Sequence, residues 1–158
     1  MDAALQEMLD ARAIEQLMIR YIDRVDANDP VGAAACFAED GVGVYWGDYH
    51  GREAIADRLA EILAGFTVTS HHLTNVAPVI TGDSATSQAY VYAFHRRVDS
   101  GDFLHYWGRW VDELRKDEGQ WLFVRREVVG VGTMVPGDAE RGRSHPGHPG
   151  RLLTDADH

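Results

Sequence analysis

The chain has 158 residues, 45% of them hydrophobic, with a formal net charge of −10 and one cysteine. That length and apolar content suit a single globular domain with its own core. The acidic balance, without any Lys/Arg cluster, argues against nucleic acid and anionic membranes as partners. The lone Cys36 excludes an internal disulfide and a cysteine-rich metal site, and no apolar run is long enough to span a bilayer. The opening MDAALQEMLDARA lacks the basic and apolar regions of a signal peptide, so a cytoplasmic protein is expected.

Residues 4–26 predict a long amphipathic helix, because Ile14, Leu17, Met18, Tyr21, Ile22 and Val25 recur at three- and four-residue spacings. Asp29 as a cap and Pro30 as the first helical residue predict a short second helix over about 31–38. The glycine-containing stretch 41–47, GVGVYWG, reads as a strand. A further amphipathic helix is expected over 52–64, with Ile55, Leu59, Ile62 and Leu63 on its apolar face and Gly65 behind it.

From Phe66 the pattern changes to period two. Strands are expected over 66–81, 84–98, 103–114 and 120–133, joined by short turns at Gly82-Asp83, 99–102 and 116–119. Long alternating runs with short turns make an antiparallel meander, and Pro78 marks a bulge or an edge. Helices first and a meander second predict an α+β domain over residues 1–135, with the helices on one face of a curved sheet. Residues 136–158 lose periodicity and become rich in Gly, Pro and His, which reads as a C-terminal tail; His145 and His148 are taken as part of that tail.

Within the strands, alternation sorts the chemistry. His71 is expected to share a face with Leu73, Asn75, Ala77 and Val79, while His72 points away. A histidine among small and apolar side chains must be paired or must work as a base. His95 joins Ala89, Val91 and Ala93; Leu104, Tyr106, Gly108 and Trp110 share one face. Arg126 is placed with Leu122, Val124 and Val128, and Arg125 with Trp121 and Phe123. Asp26 continues the buried stripe at a helix C-terminus, where the dipole disfavours a carboxylate by roughly 0.3–1 kcal/mol. Both sheet faces carry large apolar groups, so a homodimer or homotrimer packed through the sheet is expected.

No metal site is expected: His71 and His72 diverge, and there is no His-x-x-x-His and no Cys pair. Cys36 has no nearby base, and neither a Gly-x-Ser-x-Gly elbow nor a Gly-rich phosphate loop occurs. What remains is a carboxylate, two histidines, tyrosines and an arginine. That inventory suits proton transfer without a cofactor, in elimination, isomerisation or hydrolysis.

The order of these residues resembles a known family. A long N-terminal helix ending in Asp26, then FAEDGV, then SHHLTN with its His-x-x-x-Asn, then a Gly-x-Trp strand, is similar to the SnoaL-like branch of the nuclear-transport-factor-2-like fold. Within it the chain is most similar to scytalone dehydratase, bile acid 7α-dehydratase and hexachlorocyclohexane dehydrochlorinase. The resemblance implies a cone-shaped α+β barrel of cystatin-like type, its curved antiparallel sheet holding the N-terminal helices on the concave face. It implies that Asp26 and His71 are the catalytic pair, that Tyr45 polarises a substrate carbonyl, and that His95 is a second catalytic histidine. Tyr21 matches a tyrosine of the bile acid enzyme and Arg126 an arginine of the dehydrochlorinase. With Trp110 and Asn75 they form the expected substrate-binding set. Where scytalone dehydratase has a second tyrosine, a serine and an asparagine, this chain has Val25, Gly108 and Trp110. The expected substrate is therefore a small hydrophobic cyclic or polyketide-like carbonyl compound other than scytalone, and the expected reaction is loss of water. An isomerase or cyclase, a non-catalytic subunit like the small β subunits of ring-hydroxylating dioxygenases, and a plain small-ligand-binding protein are the alternatives.

Overall fold

The structure is a computed structural model and describes residues 2–135; the expected tail, residues 136–158, lies outside the described residues. Helix α1 spans Ala3–Asp26, begun by Asp2, whose carboxylate accepts from the Ala4 N–H. Helix α2 spans Pro30–Ala34, capped by Asp29 on the Gly32 N–H. It is shorter than the helix expected over 31–38. The chain from Phe37 is drawn into strand β1, Phe37–Val44, where partners across the sheet outweigh helical continuation. A short β2, Asp48–His50, precedes helix α3, Gly51–Leu63. Four long strands follow: β3 (Phe66–Thr81), β4 (Ser84–Arg97), β5 (Phe103–Asp117) and β6 (Gln120–Met134).

The six strands form one curved, unclosed sheet in the order β2-β1-β6-β5-β4-β3. The expected meander accounts for β3 to β6, all antiparallel neighbours. The strand pattern did not reveal that β1 lies parallel against β6, with Phe37 opposite Phe123 and Gly43 opposite Arg126. This non-local pairing ties the N-terminal layer to the last strand. β3 is an edge strand, which is where a residue such as Pro78, lacking an N–H, is tolerated.

Two bulges revise the expected faces. In β3 the register shifts between Thr74 and Ala77, and Asn75 takes a φ of 53°. One extra residue reverses the alternation beyond it. Asn75, Ala77 and Val79 therefore face outward and are exposed, whereas Val76 and Ile80 pack on the core. In β6 the register shifts so that Leu114 pairs Phe123 while Glu113 pairs Arg125. Arg126 consequently joins Trp121 and Phe123 in the interior, not the face of Leu122 and Val124.

The core lies between the helices and the concave face of the sheet. Ile14, Leu17, Met18 and Tyr21 of α1 and Ile55 and Leu59 of α3 meet Ala89, Val91, Trp110, Leu114 and Phe123 of the sheet. Among the described residues no helix is long and apolar enough to cross a membrane.

Candidate active site

Asp26 ends α1 and stands against β3. Its Oδ1 lies 2.7 Å from His71 Nδ1 and accepts from the Thr69 hydroxyl at 2.8 Å; its Oδ2 accepts from the backbone N–H of His71 at 2.9 Å. Thr69 and His71, two apart on one strand, share a face, so one carboxylate meets both side chains. Burial works against the Asp26 charge, but the hydrogen bonds from His71 and Thr69 prevail and hold the carboxyl below its ordinary value. An ionised carboxylate only accepts, so the geometry assigns the proton of the neutral ring to Nδ1 and leaves Nε2 as the basic atom. The His71 side chain is 12% exposed, and its ring lies edge-on to His95, centroids 5.2 Å apart.

His71 forms part of the wall of a cavity of about 320 Å³ between α1, α3 and the sheet. Tyr21, Tyr45, His95, Tyr106 and Trp110 also line it, and Leu59, Phe66, Val91, Leu104 and Val128 make much of the rest apolar. Tyr45 arrives from the turn after β1, where its N–H donates to the Gly47 carbonyl. A Cβ on Gly43 would lie 2.5 Å from the Tyr45 ring, so the glycine leaves room for it. The hydroxyls of Tyr45 and Tyr21 are 2.8 Å apart. One donates to the other, which leaves the acceptor's own proton free for a third atom. Burial pushes Tyr21 up to about 12 and Tyr45 well above its ordinary value, so both are neutral donors at pH 7.

His95 is pushed down to about 4, chiefly by burial and then by the neighbouring His71, and is neutral at pH 7. Its ring packs on Phe66 at 4.5 Å.

Two expected substrate-binding residues stand elsewhere. Asn75 is exposed at the β3 bulge and does not line the cavity. Arg126 is 0% exposed and lies behind the cavity wall. Its Nε and Nη2 donate to the two oxygens of Asp112 at 2.7 and 2.8 Å. Its guanidinium sits 4.5 Å from the Tyr21 ring centroid, 4.2 Å from Trp110 and 3.8 Å from Phe123. Asp26, His71, Tyr45, His95, Tyr21 and Trp110 do converge. Sequence reasoning missed Thr69 and Asp112. Both had a signal: Thr69 is two residues before His71, and Asp112 continues the inward series of Gly108 and Trp110, where a carboxylate demands a partner.

With this geometry the kinship becomes readable. Residues 6–127 match the SnoaL-like domain family, and the chain belongs to that family. A solved structure provisionally assigned as a scytalone dehydratase, from Novosphingobium aromaticivorans, is 32% identical, with 81% of this chain and 88% of that one covered and a TM-score of 0.75. Another from the same organism, provisionally assigned as an aromatic ring hydroxylase, is 28% identical over 81% of this chain and 94% of that one, also at 0.75. A type 2 hexachlorocyclohexane dehydrochlorinase shares the fold at 19% identity, covering 92% and 99% of the two chains, with a TM-score of 0.79. The fold is cystatin-like. No curated protein matches the sequence.

Proposed function

We propose that the protein is a lyase of the dehydratase type, acting without a cofactor on a small cyclic or polyketide-like carbonyl compound. The observation that carries the reading is the Asp26–His71 pair, held at 2.7 Å on the wall of a mostly apolar cavity. Nε2 of His71 takes a proton from the carbon next to the carbonyl. The electrons of that C–H bond form a C=C bond as the C–O bond of a β-hydroxyl breaks, and the departing oxygen receives the proton that His71 carries and leaves as water. Asp26 orients the ring and stabilises its cationic form. The free proton of the Tyr21–Tyr45 pair hydrogen-bonds the substrate carbonyl oxygen, which gathers negative charge as the neighbouring C–H bond breaks. His95, neutral at pH 7, serves as a hydrogen-bond partner rather than a strong acid, which returns the second proton transfer to His71. Trp110 supplies a flat apolar wall, and Arg126 acts from behind Tyr21 and Trp110 as support.

The kinship with a provisionally assigned scytalone dehydratase favours this reading; the aromatic ring hydroxylase relative keeps a non-catalytic subunit as the competing one. We also propose that the chain works in the cytoplasm as a homodimer or homotrimer packed through the outer sheet face, where Tyr90, Trp107 and Val111 are exposed. The test of the chemistry is to incubate cyclic β-hydroxy ketones with the protein and follow the absorbance of the conjugated product. Wild type should release water from at least one of them. His71→Ala should abolish turnover, and Asp26→Asn should slow it ~10²–10⁴-fold, the range set by positioned acid–base groups. Turnover that survives His71→Ala would overturn the mechanism.

A further inference from the structure

The cavity contains a polar atom that the proposed chemistry leaves idle. The Tyr106 hydroxyl is buried and meets no hydrogen-bond partner among the described residues. Tyr106 stands on the inner face of β5, opposite Ala93 of β4, and lines the same cavity as His71. Its position is built into the strand: a Cβ on Gly108 would overlap the Tyr106 hydroxyl and come within 2.6 Å of its ring. The glycine is thus a shelf over which the phenol lies. Burial pushes the phenol up to about 12, so at pH 7 it is an intact O–H donor.

A buried donor without an acceptor is unfavourable, and in proteins such a group is completed by water or by a ligand. Val91, Leu104 and Val128 in the lining offer no side-chain acceptor, and Thr133, opposite Tyr106 on β6, carries a hydroxyl that the phenol does not bond. The Tyr21–Tyr45 pair is self-satisfied except for one proton, and its Tyr21 ring packs on Trp110, four residues along β5 from Tyr106. Besides the His71 and His95 rings, the largely apolar wall therefore carries polar anchors at the Tyr21–Tyr45 pair and at Tyr106. Its volume of about 320 Å³ is at the low end for small-molecule sites, which suits a fused two-ring compound better than a long chain.

We propose that Tyr106 is a specificity-determining residue that donates a hydrogen bond to a second oxygen of the substrate, so that the cavity selects a compact ring system oxygenated at two positions. This rests on reading the cavity as the substrate site. Gly108 permits the selection, because its missing Cβ leaves the space in which the donor sits. An analogue lacking the second oxygen leaves the phenol unpaired and is disfavoured for that reason.

Binding tests the inference without requiring turnover. The probes are 2-naphthol and a panel of dihydroxynaphthalene isomers, titrated by calorimetry and by quenching of Trp46 and Trp110, which line the cavity. At least one dihydroxy isomer should bind wild type about tenfold more tightly than 2-naphthol. Tyr106→Phe should erase that gain, so that on this variant the isomer binds no more tightly than 2-naphthol. Gly108→Ala, which displaces the phenol without removing it, should erase the gain as well. If 2-naphthol binds but no isomer gains, or if the gain survives Tyr106→Phe, the role of Tyr106 is overturned while the cavity remains a ligand site. If neither 2-naphthol nor any isomer binds wild type, the reading of the cavity falls and the inference falls with it.

Discussion

The Asp26 carboxylate sits at the C-terminal end of α1, where the helix dipole opposes a negative charge by about 0.3–1 kcal/mol. Hydrogen bonds to a charged group contribute about 1.5–3 kcal/mol each, and Asp26 accepts from Thr69, from the His71 ring and from the His71 backbone. The donors therefore win, and the side chain points at β3 rather than at water. Thr69→Val should remove one of them, lower stability by about 1.5–3 kcal/mol and raise the pH at which Asp26 takes up a proton; carboxylate titration by carbon NMR reads this, and an unchanged midpoint would refute the role of Thr69. His95 gives a second pH effect of known sign. Its folded value is about 4, against about 6.5 in an unfolded chain. As pH falls between those values the unfolded chain binds a proton that the folded site refuses, so stability falls. His95→Phe should flatten the decline in melting temperature over that window. The depressed Asp26 group acts lower: its contribution is present above the unfolded value, about 3.9, and is lost as pH falls through the folded one.

At the scale of elements, β5 and β6 are locked by a buried ion pair. Asp112 and Arg126 are both 0% exposed at the side chain. Removing one partner of such a pair strands the other charge, at a cost of about 3–5 kcal/mol. Asp112→Ala should therefore destabilise the fold strongly in urea titrations, and Asp112→Leu combined with Arg126→Met should cost clearly less; equal losses would show that packing, not charge, holds the strands. The same strands show what was legible in the sequence. Their alternation and their turns at Gly82 and Gly119, with φ of 60° and 80°, were readable because each is local. A bulge is not: one inserted residue leaves the composition of a strand intact yet turns Asn75 outward and Arg126 inward. The parallel pairing of β1 with β6 escaped the pattern because it depends on contacts about 80 residues apart, such as Gly43 with Arg126. The early end of α2 follows from that pairing, since Phe37 leaves the helix to meet Phe123. A carboxylate on a buried stripe and a histidine on a strand's apolar face each demand a partner, and that much was legible in Asp26 and His71; that they partner each other came from the family resemblance.

For the whole molecule, the concave face of the sheet is filled by helices and cavity, while the outer face bears aromatic side chains. Tyr90 is 45% and Trp107 41% exposed, and Tyr92, whose hydroxyl is 2.7 Å from His105 Nδ1, packs beside Trp107. Apolar surface of this kind is a candidate for self-association. Sedimentation of wild type should give a dimer or trimer, and Trp107→Glu should shift it toward monomer; a monomeric wild type would refute packing through the sheet.

The central claim is that His71, held by Asp26, moves a proton within the cavity. Hydrogen–deuterium exchange at the carbon next to the carbonyl of a cyclic ketone such as 2-tetralone, followed by proton NMR in deuterated water, tests it without requiring a leaving group. Catalysed exchange by wild type that is lost in His71→Ala and sharply slowed in Asp26→Asn is the predicted result. No exchange above the buffer rate, or an equal rate in His71→Ala, would contradict the account.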